Sequence, residues 1–181
     1  MKCVITMNQG EDAEISVTGY LSEGSNFSLS SVWTSPFAAD SVGSIALLDK
    51  AASIGQAHTG STAKAQWNTT TIWEGTEPPD ISLTLHFHAL VDGRTEVDEP
   101  IKHLLQFASP ELSETVGMGR TPDEVVVNIG GKMQLKAVIK NVSYDLTAPK
   151  TRDGHFASNT VTIEMAPKAM FNASQIPNIF K

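Results

Sequence analysis

The sequence is short of the groups that most often announce a function. Among its 181 residues there is a single cysteine, Cys3, so an internal disulfide framework and a cysteine-based zinc site are both excluded. No apolar run approaches the ~18 residues that a membrane-spanning helix needs. The opening stretch, Met1 to Gly10, contains no apolar segment long enough to act as a secretory signal. Basic residues are few: 13 Lys and Arg against 20 Asp and Glu leave a net charge of −7, a poor basis for gripping nucleic acid phosphates. These deficits predict a soluble protein of a reducing compartment, with no membrane contact and no sequence-specific nucleic acid binding.

Catalytic signatures are missing as well. There is no Gly-x-Ser-x-Gly elbow. Gly117 and Gly119 lack the third glycine and the preceding strand of a dinucleotide fingerprint, and no phosphate loop with Gly-Lys-Ser/Thr occurs. Asn26, Asn68, Asn141 and Asn172 fit the glycosylation pattern, which carries no meaning without a secretory signal.

Charge is unevenly distributed. Residues 1–124 hold 6 basic and 17 acidic side chains, a net of −11, whereas residues 125–181 hold 7 basic and 3 acidic, a net of +4. One reading is chance segregation over a single surface. The other is an acidic and a basic face that orient copies, or unlike neighbours, during assembly.

Hydrophobic spacing outlines the elements. Ile15 and Val17 alternate with polar neighbours in a strand over 14–20. Residues 21–37 read as a polar loop or arm punctuated by Phe27, Leu29, Val32, Trp33 and Phe37. Asp40 is placed to cap a helix whose stripe is Val42, Ile45, Leu48 and Ala52, with Gly55 as its stop. Residues 62–73 have the Thr, Ile and Trp content of a strand, and Glu74 to Asp80, with Pro78-Pro79, reads as a turn. Ile81 to Ala89 alternates perfectly, sending Ile81, Leu83, Leu85 and Phe87 to one face and Ser82, Thr84, His86 and His88 to the other. A short helix over 97–108 buries Val97, Ile101, Leu104, Leu105 and Ala108, with Asp98 and Glu99 serving the positive end of its dipole. Residues 110–123 read as a long connection. Strands over 124–129 and 133–139, the second continuing toward Leu146, flank a Gly130-Gly131 hairpin turn. A last alternating strand covers 160–165, and an irregular tail follows from Pro167.

The candidate sites are sparse. His86 and His88 share one face of a strand at the spacing of a two-imidazole metal site, but no third ligand is recognisable nearby, so a solvent-facing or interface pair is the plainer reading. His58, His103 and His155 read as surface residues. Asp98 and Glu99, adjacent at a helix start, point in different directions and do not form an acid–base pair. No catalytic, cofactor-binding or metal-binding residue is therefore assigned.

The stretch Ile81-Ser82-Leu83-Thr84-Leu85-His86-Phe87, followed by Glu96-Val97-Asp98-Glu99-Pro100-Ile101-Lys102-His103-Leu104-Leu105-Gln106-Phe107-Ala108-Ser109-Pro110, resembles the tube-type and baseplate-hub proteins of phage tails and related contractile injection systems. There, an apolar-x-apolar-x-Phe strand precedes a Val-x-x-Pro-Ile/Val-x-x-Leu helix and a proline. The run from Val125 through Gly130-Gly131 and Val138-Ile139-Lys140-Asn141-Val142 to Asp153-Gly154 and Val161-Thr162-Ile163 is similar to the end of the same domain. The likeness spans about residues 62–166.

The resemblance implies a mainly β (α+β) fold, a tail-tube-like split β-barrel or two-sheet sandwich with a flanking short helix. It leaves 1–61 as an N-terminal arm with one helix and 167–181 as a C-terminal tail. It further implies a trimeric or hexameric homo-oligomeric ring in a virion tail, as a baseplate hub or tube initiator or as a tube adaptor, assembled in the host cytoplasm. Tail-tube and baseplate proteins would be its neighbours and DNA only its passing cargo, with no cofactor and no catalysis. Ring assembly would also let neighbours pair open sheet edges. Two other readings stand beside it: a β-sandwich gripping carbohydrate or a surface ligand through Trp33, Trp67 and Trp73, and a small enzyme centred on His86 and His88.

Overall fold

The computed structural model describes residues 1–8, 14–34, 70–112 and 119–181. The helix expected over 40–55, most of the strand expected over 62–73, and His58 and Trp67 lie outside the described residues. The chain divides into two compact units: Met1–Leu29 with Pro78–Lys181, and Ser30–Glu77.

The larger unit is an antiparallel barrel. Its strands are β1 (Lys2–Asn8), β2 (Glu14–Leu21), β3 (Asn26–Ser28), β6 (Asp80–His88), β7 (Val125–Ile129), β8 (Met133–Tyr144) and β9 (Ser158–Ala166), in the order β2-β1-β7-β8-β9-β6-β3. A further pairing of β2 with β6, Tyr20 to His86 and Leu21 to Leu85, closes a six-stranded ring of staves. The mainly β barrel with a short flanking helix is thus present. The first 29 residues do not form an arm outside a domain beginning at 62, because β1 and β2 are staves of the barrel. Nor does the barrel wait for a neighbour to pair its edges, since β2 and β6 meet within one chain.

Closure depends on two irregularities. Gly19 is where β2 comes down onto β6: a β-carbon there would lie 3.1 Å from Leu85 Cβ and 3.1 Å from the Phe87 ring, closer than packed atoms sit. In β8 the register shifts between Ile139 and Asn141. Leu135, Ala137 and Ile139 point inward before this bulge; after it the inward set becomes Val142 and Tyr144. β8 pairs with β7 over Met133–Ala137 and with β9 from Val138 onward, and the bulge just inside the β9 pairing bends the strand. Lys140, the extra residue, turns outward and its Nζ lies 2.9 Å from Asp80 Oδ1.

The barrel interior is filled by alternating residues of every stave: Cys3, Ile5, Val17, Ile81, Leu83, Leu85, Phe87, Val125, Val127, Leu135, Ala137, Val161 and Ile163 are all buried. Helix α1 (Glu99–Ala108), entered through a wide π-type turn at Arg94–Asp98, adds Val97, Ile101, Leu104 and Phe107 to the same core. Leu105, placed on the buried stripe from its spacing, is instead partly exposed, and Phe107 takes the buried position. The Gly130-Gly131 turn joins β7 and β8 with φ of 61° and 71°, left-handed values that glycine adopts without strain. At the C-terminus the short helix α2 (Ile176–Ile179) tucks Ile179 into the core, and Phe180 bridges to Met133 beside the start of β8.

The second unit contains a two-stranded ribbon, β4 (Ser31–Thr34) and β5 (Ile72–Thr76). Glu74 to Thr76, expected as turn, are strand residues here: Gly75 and Thr76 pair with Val32 and Ser31, and Glu74 is the extra residue of the bulge. No helix among the described residues is long and apolar enough to cross a membrane.

Phe107 is fully buried where helix and barrel meet. Phe107→Ala is therefore expected to lower unfolding free energy by about 3–5 kcal/mol, a large share of the ~5–15 kcal/mol of a typical domain. Chemical denaturation with an unchanged m-value checks it.

Candidate functional site

The surface offers four features built from side chains rather than one cleft. The first is the outward face of β6 and β9. Ser82, Thr84, His86 and His88 alternate with the buried residues of β6, and Thr160, Thr162 and Glu164 do so on β9. The register sets His86 beside Thr160, Thr84 beside Thr162 and Ser82 beside Glu164. Ser143 and Asn141 of β8 extend the last two rows. The result is a sheet face dominated by hydroxyls and amides, with Glu164 as its one carboxylate away from the Lys140–Asp80 ion pair. His86 and His88 stack with ring centroids 6.5 Å apart, and His86 Nδ1 lies 3.3 Å from Thr160 Oγ1. Among the described residues no group of three His, Cys, Asp or Glu side chains is placed to share a metal ion.

The second feature joins residues that the sequence left apart. Asp98 does not serve the helix start. Its Oδ2 lies 2.7 Å from His155 Nδ1, and its Oδ1 accepts the backbone N–H of Phe156 at 3.2 Å. His155, expected at the surface, is half-buried in the β8–β9 connection and tied to α1. The contact fastens the β8–β9 loop to the start of α1. Glu99 remains at the helix start, 3.9 Å from Arg94. His103 sits on α1 with its Nδ1 3.0 Å from Gln106 Oε1.

Work at the helix start falls to two other carboxylates. Asp92 accepts the N–H groups of Arg94 and Thr95 and the Thr95 hydroxyl, and these hydrogen bonds hold its pKa below the ordinary aspartate value. Glu96 reaches back to accept the N–H groups of Val91, at 3.1 Å, and Leu90, which likewise lowers its pKa. The outcome is a tight β6–α1 turn whose tip, Leu90 and Val91, is 84% and 93% exposed.

The third feature is an apolar groove of about 390 Å³ along α1, floored by Ile101, Leu105, Tyr144 and Phe156. The Tyr144 and Phe156 rings meet edge to face at 6.3 Å, and Lys150 Nζ stands 5.4 Å above the Phe156 ring.

The fourth feature lies in the ribbon. Trp33 and Trp73 are directly cross-strand and so share one face, 59% and 51% exposed, with Trp73 Nε1 donating to Thr76 Oγ1 at 3.2 Å. Cys3, by contrast, is sealed in the barrel, where burial pushes its thiol up to about 11.

No protein-family model matches the sequence, and no curated protein matches it.

Two expectations follow. Asp92 and Glu96 titrate lower in the folded chain than in the unfolded one, so their contribution to stability is present above about pH 4 and fades as pH falls through the folded values. Thermal melts from pH 6 to pH 2 should show this acid loss, and Glu96→Gln should flatten it. Cys3 has the opposite sign: its folded pKa is raised from 9.0 to about 11, so stability falls between those values as the unfolded thiol ionises first. At pH 8 the native protein should resist alkylation, and the unfolded protein should label at once.

Proposed function

We propose that this protein is a structural component of a phage tail or a related contractile injection system, a tube or baseplate-hub subunit. Copies form a ring around the channel through which DNA passes, and no reaction is catalysed. The observation that carries this reading is where the barrel is built. The strand, helix, hairpin and final strand that resemble that group, within 81–108 and 125–163, are β6, α1, β7, β8 and β9 around one core.

The surface chemistry supports the same reading. A channel wall must let phosphates slide, and lysine or arginine on it would hold them through counterion release. The outward face of β6 and β9 is rich in Ser and Thr, and its neighbouring Lys140 is already neutralised by Asp80. The opposite outward face, on β1, β7 and the first half of β8, carries Lys2 and Lys136. In a ring, the β6–β9 face is the one suited to the lumen. The net charge of −7 points the same way.

The paired tryptophans favour a second reading. Trp33 and Trp73, side by side and half-exposed, form the kind of flat aromatic platform on which a sugar ring stacks. As a carbohydrate- or surface-binding module the protein would act as a monomer.

Native mass measurement of the purified chain, together with sedimentation, separates the two. A tail subunit is expected to give closed oligomers at integral multiples of 19.4 kDa, indifferent to sugars and to Trp73→Ala. A strict monomer that binds a glycan, and loses that binding in Trp73→Ala, overturns the proposal in favour of the second reading.

A further inference from the structure

The six staves of the barrel pair with one another within one chain, which leaves side chains on its loops and helix as a route for joining copies. The geometry points to a knob-and-socket contact between copies: Leu90 and Val91 of one protomer seat in the apolar groove along α1 of the next. This inference rests on the ring reading above.

The knob is two adjacent aliphatic residues at the tip of the β6–α1 turn, 84% and 93% exposed. Two aliphatic side chains side by side at a loop tip offer apolar area that a partner can bury. It is also held rigidly. Glu96 accepts the N–H groups of Leu90 and Val91, the Ala89 N–H donates to Ala157 O at 2.9 Å, and the Glu96 N–H donates to Asp92 O at 3.1 Å. Gly93 fixes the turn from beneath, since a β-carbon there would lie 2.6 Å from Phe156 O. A loop ordered in advance loses little entropy on docking, which is the condition for tight binding by a small contact. The same hydrogen bonds hold the knob away from its own groove, so a knob seated in the groove comes from another copy.

The socket matches in shape class and in charge. Its floor is Ile101, Leu105, Tyr144 and Phe156, an aliphatic and aromatic surface enclosing about 390 Å³. Lys102 lines it and Lys150 stands over the Phe156 ring, whereas Asp98, its carboxylate, is already held by His155. The knob is flanked by the carboxylates of Asp92 and Glu96, both held in the ionised form by their hydrogen bonds. Acidic shoulders around an apolar tip thus face basic shoulders around an apolar hollow. In the ring reading each knob enters the socket of the next copy around the ring, so the contact is head-to-tail. Such a contact closes into a ring when its rotation divides a full turn, and otherwise runs on as a filament.

Head-to-tail contacts permit a decisive mixing experiment. A knob variant, Leu90→Asp with Val91→Asp, and a socket variant, Leu105→Glu, are each expected to weaken self-association at least about 30-fold, the loss that marks an interface hot spot. Mixed one to one, they should recover a single good interface and sediment as a heterodimer of twice the 19.4 kDa chain mass, and no larger. All the mutated residues are exposed or partly so, and circular dichroism with thermal melts confirms that each variant folds. Should Leu105→Glu fail to fold, Lys102→Glu on the rim takes its place. Variants that oligomerise as the parent does, or a mixture that stays monomeric while the parent assembles, would overturn the knob and socket and leave the ring intact. A parent chain that remains monomeric to about millimolar concentration would overturn both.

Discussion

One act of burial organises the molecule: the apolar side of β6 is covered from within the same chain. Ile81, Leu83, Leu85 and Phe87 face the barrel interior, and Leu104 and Phe107 of α1 share the core with them. Once that side is committed, the strict period of two sends Ser82, Thr84, His86 and His88 outward. Antiparallel pairing with β9 then aligns further hydroxyls with them. The polar sheet face is a by-product of the core, not a separate design. The position of α1 likewise creates the groove, because its outer side, at Leu105 and Lys102, stands next to the end of β8 and the loop that follows.

Closure of the barrel has a consequence for assembly. An open sheet recruits neighbours through unpaired N–H and C=O groups, a strong but unselective route that also invites aggregation. Here β2 reaches β6 over two residue pairs, made possible by the missing side chain at Gly19, and the β8 bulge supplies the bend on the other side. In the proposed ring, loops and side chains around the closed barrel would carry the contacts between copies, where charge and shape can specify the partner. Asp98, the β6–α1 turn and the β8–β9 loop matter in that light. The His155–Asp98 contact holds the loop carrying Phe156 against the helix carrying Leu105, and so holds the two walls of the groove in register.

The sequence made part of this legible. The alternation over 81–89, the Gly130-Gly131 hairpin and the alternation over 160–165 each state their structure locally, and each is found as read. β1 was not legible. Its buried residues, Cys3 and Ile5, flank an outward Val4, and the outward valine hides the alternation. β3 is three exposed residues whose pairing is set by contacts such as the Ser25 hydroxyl accepting the Thr84 N–H, which no local pattern encodes. β5 contains Gly75 within a Glu-Gly-Thr run typical of turns, yet pairing with β4 across a bulge overrides that preference. The same limit applies to the surface features. His155 and Asp98 are 57 positions apart, and only the fold brings them to 2.7 Å. Trp33 and Trp73 were noticed singly, but their pairing follows from strand register.

Under the proposed function, copies of this barrel surround a channel, with the β6–β9 face inward. Electron cryo-microscopy of the intact particle that contains this chain tests it most directly. The account predicts a ring of barrels about the particle axis, with Ser82, Thr84 and Thr162 turned toward the lumen. Finding the chain as isolated copies away from the axis, or with that sheet face buried against a different protein, would contradict it.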